Sequence, residues 1–125
     1  MCSVQETKWT GSGARVMGKG MSGYKFFWQG CKDGNAGVGL LISDRWIDRI
    51  VDVKRVNERI MCLKVLISDK LVTCICVYAP QTGRSAEKKD SFRDQMISDR
   101  KHTSIGVDCC WRRSEWSRWY KCRWV

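Results

Sequence analysis

A phenol, an amide and a hydroxyl follow one another where an apolar segment of this sequence stops. Tyr78, Gln81 and Thr82 come directly after the apolar run 71–77, and Pro80 between them is the only proline in the chain. Proline cannot donate to a sheet ladder and pushes the preceding residue toward an extended conformation, so a strand must end here. Open α/β sheets bind ligands at the carboxyl ends of their strands, which makes this turn a candidate site. A strand that simply ends in a polar turn has the same composition.

The apolar run itself predicts a central strand that is buried on both faces. It is nearly unbroken and rich in β-branched residues, as buried strands are. Alternation along a strand assigns its side chains to two opposite faces: Leu71, Thr73, Ile75 and Val77 on one, and Val72, Cys74, Cys76 and Tyr78 on the other.

Further strands are predicted before this one. Apolar patterns predict strands at 24–29, 38–42, 50–56 and 60–67. The turn residues Asp33-Gly34-Asn35 predict that the first two form a hairpin. The tight connection Ser68-Asp69-Lys70 predicts that 60–67 is the antiparallel neighbour of the central strand.

The other segments lack the pattern of a strand. Residues 44–50 fit one helical turn or an irregular link, and 85–97 fit a short helix with Phe92 and Met96 on one face. The glycine-rich segment 10–23 predicts a loop, because no strand and helix flank it as a phosphate-binding fingerprint requires. The stub before Gln5 is too short for a strand with its own lead-in.

Composition restricts the class of protein and its partners. The chain has 125 residues, 43% of them hydrophobic, which is enough for one small domain with a real core. Its formal net charge of +10 favours a polyanionic partner, nucleic acid before an anionic membrane surface. No apolar run is long enough to span a bilayer, so we expect no membrane partner.

The chain has eight cysteines, whose state depends on the redox compartment. No secretory signal accompanies them, so we expect free thiols, no disulfide partner and an intracellular location, nuclear or cytoplasmic. Cysteines within the predicted strands behave as small buried apolar groups. The remaining candidates lack the short paired spacing of a zinc site and predict no zinc: Cys109, Cys110, Cys122 and His102.

Three stretches, in order along the chain, resemble one family. Residues 4–8, VQETK, resemble the QET motif of the endonuclease/exonuclease/phosphatase superfamily, and residues 77–83, VYAPQTG, resemble its tyrosine motif. The spacer, with YKFFWQG, GVGLLI and DVKRVNERIMCLKV, is similar to the endonuclease domain of non-LTR retrotransposons. It is also similar to host proteins derived from that domain, the craniofacial development protein 2-like proteins. The resemblance extends from Val4 to about Met96.

This resemblance implies a fold class and a reaction. The family fold is a four-layer α/β sandwich, with two packed sheets inside and helices outside. We therefore expect an α/β chain that forms a partial four-layer sandwich with mixed, largely antiparallel β-sheets. Family members hydrolyse phosphoesters with Mg²⁺, and the retrotransposon branch acts on DNA.

The resemblance also implies roles for single residues. Glu6 of the QET motif is the implied Mg²⁺ ligand, since this ion prefers hard oxygen ligands and one or two carboxylates suffice. Tyr78 is the implied contact to the scissile phosphate, and Gln81 takes the place of a phosphate-holding asparagine. Lys8 and Arg84 are candidates for contacts to flanking phosphates, although exposed basic residues commonly face only solvent.

Several parts of the family's catalytic set have no counterpart in these 125 residues. They are an asparagine-bearing strand ahead of QET, a downstream Asp-x-Asn motif, a further aspartate, and the Asp-His pair that activates water. The only histidine, His102, lies outside the region of resemblance. We therefore expect a fragment of a Mg²⁺-dependent DNA endonuclease domain that is catalytically inactive as this chain.

Residues 101–125 differ from the partial domain predicted at 1–100, and we predict an irregular basic tail. Four tryptophans crowd into it without a helical or strand period: Trp111, Trp116, Trp119 and Trp124. Read one nucleotide forward, each TGG codon must encode glycine, and residues 112–124 can then yield GDLNGHVGTNADG, which resembles the family's next motif. We hypothesise a frameshift between about residues 96 and 102, which the nucleotide sequence there would decide.

Two other functions fit the same sequence. Basic residues interleaved with aromatic ones bind single-stranded nucleic acid, so a small non-catalytic nucleic-acid-binding protein is the alternative. A structural fragment without activity is the third possibility. The sequence indicates no oligomeric state.

Overall fold

A computed structural model describes residues 1–18, 23–80, 83, 85–101 and 106–110. Within these ranges the chain forms eight strands, one α-helix and one 3₁₀ helix. In order they are β1 (Cys2–Gln5), β2 (Ser12–Met17), β3 (Tyr24–Gln29), β4 (Val38–Ser43), the 3₁₀ helix (Asp44–Arg49), β5 (Ile50–Asn57), β6 (Ile60–Ile67), β7 (Lys70–Val77), α1 (Ala86–Lys101) and β8 (Gly106–Cys110).

The strands form two four-stranded sheets. The first sheet has the order β1-β4-β3-β2 and is antiparallel throughout. The second sheet has the order β5-β6-β7-β8, in which only β7 and β8 run parallel. Strands β6 and β7 are joined by Ser68 and Asp69, both with positive φ, which is the conformation of a two-residue hairpin turn that matches the strand twist.

The main core lies between the two sheets. Apolar side chains of β3 and β4 meet those of β6 and β7, and all of them are buried: Phe27, Val38, Leu40, Ile42, Met61, Leu63, Val65, Cys74 and Cys76. A second cluster on the other face of the second sheet holds Ile60, Cys62, Ile75 and Val77, with Phe92 and Met96 of α1 packed against it. The described residues therefore form three layers, two sheets and one helix.

Most sequence-predicted elements are confirmed. The strands at 24–29 and 60–67 and the hairpin of β3 with β4 agree with the structure. Of the two alternatives for 44–50, the structure has the helical one, as the 3₁₀ helix Asp44–Arg49. Strand β7 is buried on both faces from Thr73 to Val77, whereas Leu71 near its start is 41% exposed. The helix face with Phe92 and Met96 is confirmed as well. The predicted α/β class fits only loosely, because the described part is mostly antiparallel sheet with a single α-helix.

Two predictions near the N-terminus are wrong. The stub before Gln5 is a strand, β1, because pairing with β4 supplies the stability that four residues lack by themselves. The predicted loop 10–23 contains β2, which pairs with β3 over its whole length. Residue 13 of β2 is opposite Trp28, and any Cβ there would come within 2.6 Å of the Trp28 ring. This glycine makes room for a side chain and does not mark a loop.

The segment predicted as an irregular tail is not irregular throughout its described part. Strand β8 follows α1 and pairs in parallel with β7, which makes a β-α-β crossover at the edge of the second sheet. The tryptophans of the tail lie outside the described residues, as does His102.

The described part of the chain allows the expectations about disulfides and membrane spans to be compared with the structure. The five cysteines whose side chains the structure describes are free thiols: Cys2, Cys31, Cys62, Cys74 and Cys76. Neither helix of the described chain combines the length and apolarity that a membrane crossing demands.

Candidate functional site

Strand β1 lies across β7 with both strands pointing to the same end of the molecule. The Cys74 thiol lies 3.2 Å from Met1 Sδ, and the Cys76 thiol lies 3.1 Å from Ser3 Oγ. Further along, Gln5 Nε2 donates to the backbone carbonyl of Val77 at 2.7 Å. The ends of β1 and β7, which belong to different sheets, are thereby held together. We call this end of the sandwich the rim.

One thiol of this inter-sheet contact is deeply buried. Desolvation raises the pKa of the Cys76 thiol above its ordinary value of 9.0, against the smaller opposing effects of hydrogen bonds with the Ser3 side chain and with the backbone of Gly39 and Val4. Cys76 is therefore a neutral packing group beneath the rim and not a nucleophile.

Glu6 and Tyr78 meet at the rim. The Tyr78 hydroxyl donates to Glu6 Oε1 at 2.6 Å, across 72 residues of sequence. This is the short distance of a charge-assisted O–H to carboxylate bond. The Tyr78 ring packs against the main core, whereas the Glu6 side chain is exposed. The two residues to which the family resemblance assigns the metal and the phosphate are thus in direct contact, and their chemical roles stay predictions.

The backbone that carries Glu6 adopts an uncommon conformation. Glu6 has φ of 51° and Lys8 has φ of 55°, values that cost non-glycine residues about 1 to 2 kcal/mol each. Two hydrogen bonds hold the segment in place: Thr7 N donates to Gly37 O at 3.3 Å, and Lys8 N donates to Ala36 O at 3.2 Å. Strained residues held by their surroundings cluster at functional sites, which favours a role for this segment beyond packing.

Arg59 completes the rim beside Tyr78. Its backbone carbonyl accepts from Tyr78 N at 2.8 Å, which extends the β6–β7 ladder by one pair beyond Ile60 and Val77. Its Nη1 donates to the Tyr78 carbonyl at 3.3 Å, and its guanidinium lies 5.1 Å from the centre of the Tyr78 ring. The Arg59 side chain is half-buried, so the rim carries a positive charge beside Tyr78.

The turn before β6 fixes the position of Arg59. Asn57 Oδ1 accepts from the backbone N of Arg59 at 2.8 Å, which is a side-chain turn typical of asparagine. The same side chain donates through Nδ2 to Gln95 Oε1 at 2.7 Å. Helix α1 is thereby connected to the rim through one asparagine.

The donor set fits Mg²⁺ only in part. Glu6 offers one hard carboxylate oxygen, and no group of three or more His, Cys, Asp or Glu side chains that could hold a metal occurs in the described ranges. Mg²⁺ commonly binds through one or two carboxylates together with phosphates and water. The rim therefore suits an ion that arrives with a phosphate, and it does not form a protein cage for the ion alone.

The predicted site residues have different outcomes. Glu6 and Tyr78 are in contact, and Lys8 is exposed two residues along from Glu6. Gln81 and Arg84 lie outside the described residues. Sequence reasoning missed Gln5, although its position beside Glu6 in the QET motif was a signal. It also missed Arg59, which is identified as a rim residue only by its pairing with Tyr78 at the end of the β6–β7 ladder.

Comparison of the sequence with models of protein families gives no match, and comparison with curated proteins gives none either. The family membership expected from the motifs therefore stays a prediction.

Proposed function

We propose that this chain carries part of the phosphate-binding rim of a Mg²⁺-dependent phosphodiesterase domain of the retrotransposon endonuclease type. The proposal assigns the two sheets and α1 to three layers of the expected four-layer sandwich. The observation that carries it is the Tyr78 to Glu6 hydrogen bond of 2.6 Å, because it joins the two sequence motifs that supply a phosphate contact and a metal ligand in that family.

Each rim residue has a distinct task in this proposal. Gln5 holds the end of β1 against β7, which places Glu6 beside the phenol. Tyr78 and Arg59 contact the phosphate, one by a hydroxyl and the other by a guanidinium suited to phosphate oxygens. Glu6 repels a phosphate when no cation is present and holds a Mg²⁺ ion when one is. The ion, when bound, neutralises charge on the phosphate.

DNA is the proposed ligand, and the chain does not cleave it. The net charge of +10 attracts a polyanion, and the free thiols in the described part are typical of a reducing compartment, nuclear or cytoplasmic. Cleavage needs a base that activates water, and the 125 residues hold no counterpart of the family's Asp-His pair. The alternative, a non-catalytic binding protein that relies on the Trp-rich tail, concerns residues outside the described ranges.

The sign of the Mg²⁺ effect tests the role of Glu6. In EDTA, Glu6→Gln should bind a DNA duplex more tightly than the wild type, because a carboxylate that repels phosphate is gone. In Mg²⁺ the order should reverse, because only the wild type can hold the ion against the phosphate. Fluorescence anisotropy at constant ionic strength measures both affinities.

Glu87→Gln is the matched control, since Glu87 is an exposed carboxylate on the first turn of α1. An unchanged order of affinities in EDTA and Mg²⁺, or the same reversal for Glu87→Gln, would contradict the assignment. A plasmid nicking assay with the same proteins should show no Mg²⁺-dependent cleavage. Nicking that Glu6→Gln abolishes and Glu87→Gln retains would show that the chain is an active enzyme.

A further inference from the structure

An aromatic cluster covers the outer face of the first sheet near the rim. Trp9 contacts Phe26 and Trp28 edge-to-face, with ring centres 5.4 Å and 4.9 Å away, and the latter two rings are stacked 6.0 Å apart. Phe27, between them in β3, points instead into the core between the sheets. Alternation along the strand therefore places Phe26 and Trp28 on the opposite, outer face. We call Trp9, Phe26 and Trp28 the aromatic platform.

Two rings of the platform, Phe26 and Trp28, lie over the sheet, and the Trp9 ring stands perpendicular to both of them. A Cβ at Gly13 would come within 2.6 Å of the Trp28 ring, and a Cβ at Gly39 would come within 2.4 Å of the Phe26 ring. Both rings therefore lie over the bare backbone of the neighbouring strands. Phe26 is 6% exposed, whereas Trp9 on top of it is 37% exposed. The cluster thus presents one aromatic side chain to solvent on a fixed base.

Two exposed cationic residues, Arg15 and Lys8, neighbour the platform in the fold. Arg15 is the cross-strand partner of Phe26, so its exposed side chain rises from the same face of the sheet. Lys8 precedes Trp9 in the segment that is anchored to Ala36 and is exposed as well. Aromatic faces combined with cations bind single-stranded nucleic acid, because bases stack on the ring while the cations neutralise the backbone.

The platform and the rim lie at the same end of the first sheet. Gln5, Val38, Gln29 and Ser12 form the last row of paired residues there, and Trp28 belongs to the next row. Two strand spacings separate β1 from β3, which is about 10 Å. The segment that carries Glu6 also carries Lys8 and Trp9, so the phosphate site and the platform are parts of one connected surface.

We infer that Trp9 stacks on an unpaired nucleobase next to the phosphate that the rim binds. The ligand class is a single DNA strand, or a duplex in which one base has left the stack. This inference deepens the proposed function and rests on it for the neighbouring phosphate. Stacking itself needs neither Glu6 nor Mg²⁺, so its test is independent of both.

The test uses the full chain and a short fluorescein-labelled oligodeoxythymidylate, with anisotropy measured in EDTA. Trp9→Leu should weaken binding about 5- to 140-fold, which corresponds to the usual 1 to 3 kcal/mol per stacked base. Trp9→Phe should retain most of the affinity, because the ring is kept. Tyr24→Leu is the matched control. Tyr24 is a 42% exposed aromatic residue on β3, the strand that carries Phe26 and Trp28, and it lies at the end of that strand away from the rim. It should bind as the wild type does.

A change to the DNA keeps the test decisive if Trp9→Leu unfolds. An abasic site moved along the oligonucleotide should weaken binding of wild type and Trp9→Phe at one position. Affinity that ignores the abasic site at every position would refute stacking, as would equal losses in Trp9→Leu and Tyr24→Leu. If stacking fails but Mg²⁺ still reverses the order of the DNA affinities of wild type and Glu6→Gln, only this inference is refuted. If stacking holds but Mg²⁺ does not reverse that order, only the proposed function is refuted.

Discussion

Replacing Arg59 by glutamine removes the guanidinium that lies against the ring of Tyr78. If Arg59 contacts a phosphate, the variant releases one counterion fewer when it binds DNA. The slope of log affinity against log salt should then become shallower by about 0.9 for duplex DNA and about 0.7 for a single strand. Between about 50 and about 200 mM salt, a slope change of about 0.9 alters the affinity ratio of wild type to variant by about 3.5-fold.

The matched control for Arg59→Gln is Arg45→Gln. Arg45 lies in the 3₁₀ helix that follows β4, at the end of the sandwich opposite the rim, and it is exposed. The substitution removes the same charge from the chain. At 0.1 M salt, charges about 10 Å or more from the DNA are largely screened, so Arg45→Gln should leave the slope unchanged. Fluorescence anisotropy titrations at four or more salt concentrations give both slopes.

Arg59 also has a structural contact, and its loss must be separated from the loss of binding. The hydrogen bond from Nη1 to the Tyr78 carbonyl, at 3.3 Å, is worth about 1 kcal/mol. Thermal unfolding should therefore shift by on the order of 4 °C in Arg59→Gln, which leaves the protein folded at 25 °C. Arg59→Lys should restore the salt slope, because the charge is present again. Equal slopes for wild type and Arg59→Gln, or equal changes in both glutamine variants, would refute the phosphate contact.

Two further predictions concern stability. Arg55 of β5 joins the two sheets, since Nε donates to Trp28 O of β3 at 3.3 Å and Nη2 donates to Gly13 O of β2 at 3.1 Å. Arg55→Met should lower the free energy of unfolding by about 2 to 4 kcal/mol in urea titrations. Arg15→Met, which removes an exposed arginine of β2, is the control, and a similar loss of stability in that variant would contradict the role of Arg55. The pKa of Cys76 is raised, so above about pH 9 the folded chain keeps a thiol proton that the unfolded chain loses. The stability that the neutral thiol contributes is therefore complete below about pH 9 and is lost as the pH rises through the folded-state pKa. Unfolding measured at about pH 8 and about pH 10 should show a smaller decline in Cys76→Ala than in the wild type, and equal declines would exclude Cys76 as the cause.

The sequence by itself determined the elements whose residues carry their own periodicity. Strands β3, β6 and β7, the β3–β4 hairpin and the apolar face of α1 follow from local patterns of apolar residues and turn residues. The sequence also singled out Glu6 and Tyr78 as a pair, although 72 residues separate them. Both residues were singled out by the resemblance of their motifs to one known family, which periodicity alone does not provide.

Only the tertiary structure decided the parts that depend on contacts between distant segments. Strand β1 has four residues and exists because β4 pairs with it. Strand β2 exists because β3 pairs with it, and Gly13 leaves room there for the Trp28 ring. Arg59 belongs to the rim because the β6–β7 ladder places it opposite Tyr78. Trp9 reaches solvent on a rigid base because two rings of β3 lie over glycines of its neighbours. Each of these arrangements depends on sheet register and on close approach of backbone, which side-chain type along one segment does not encode.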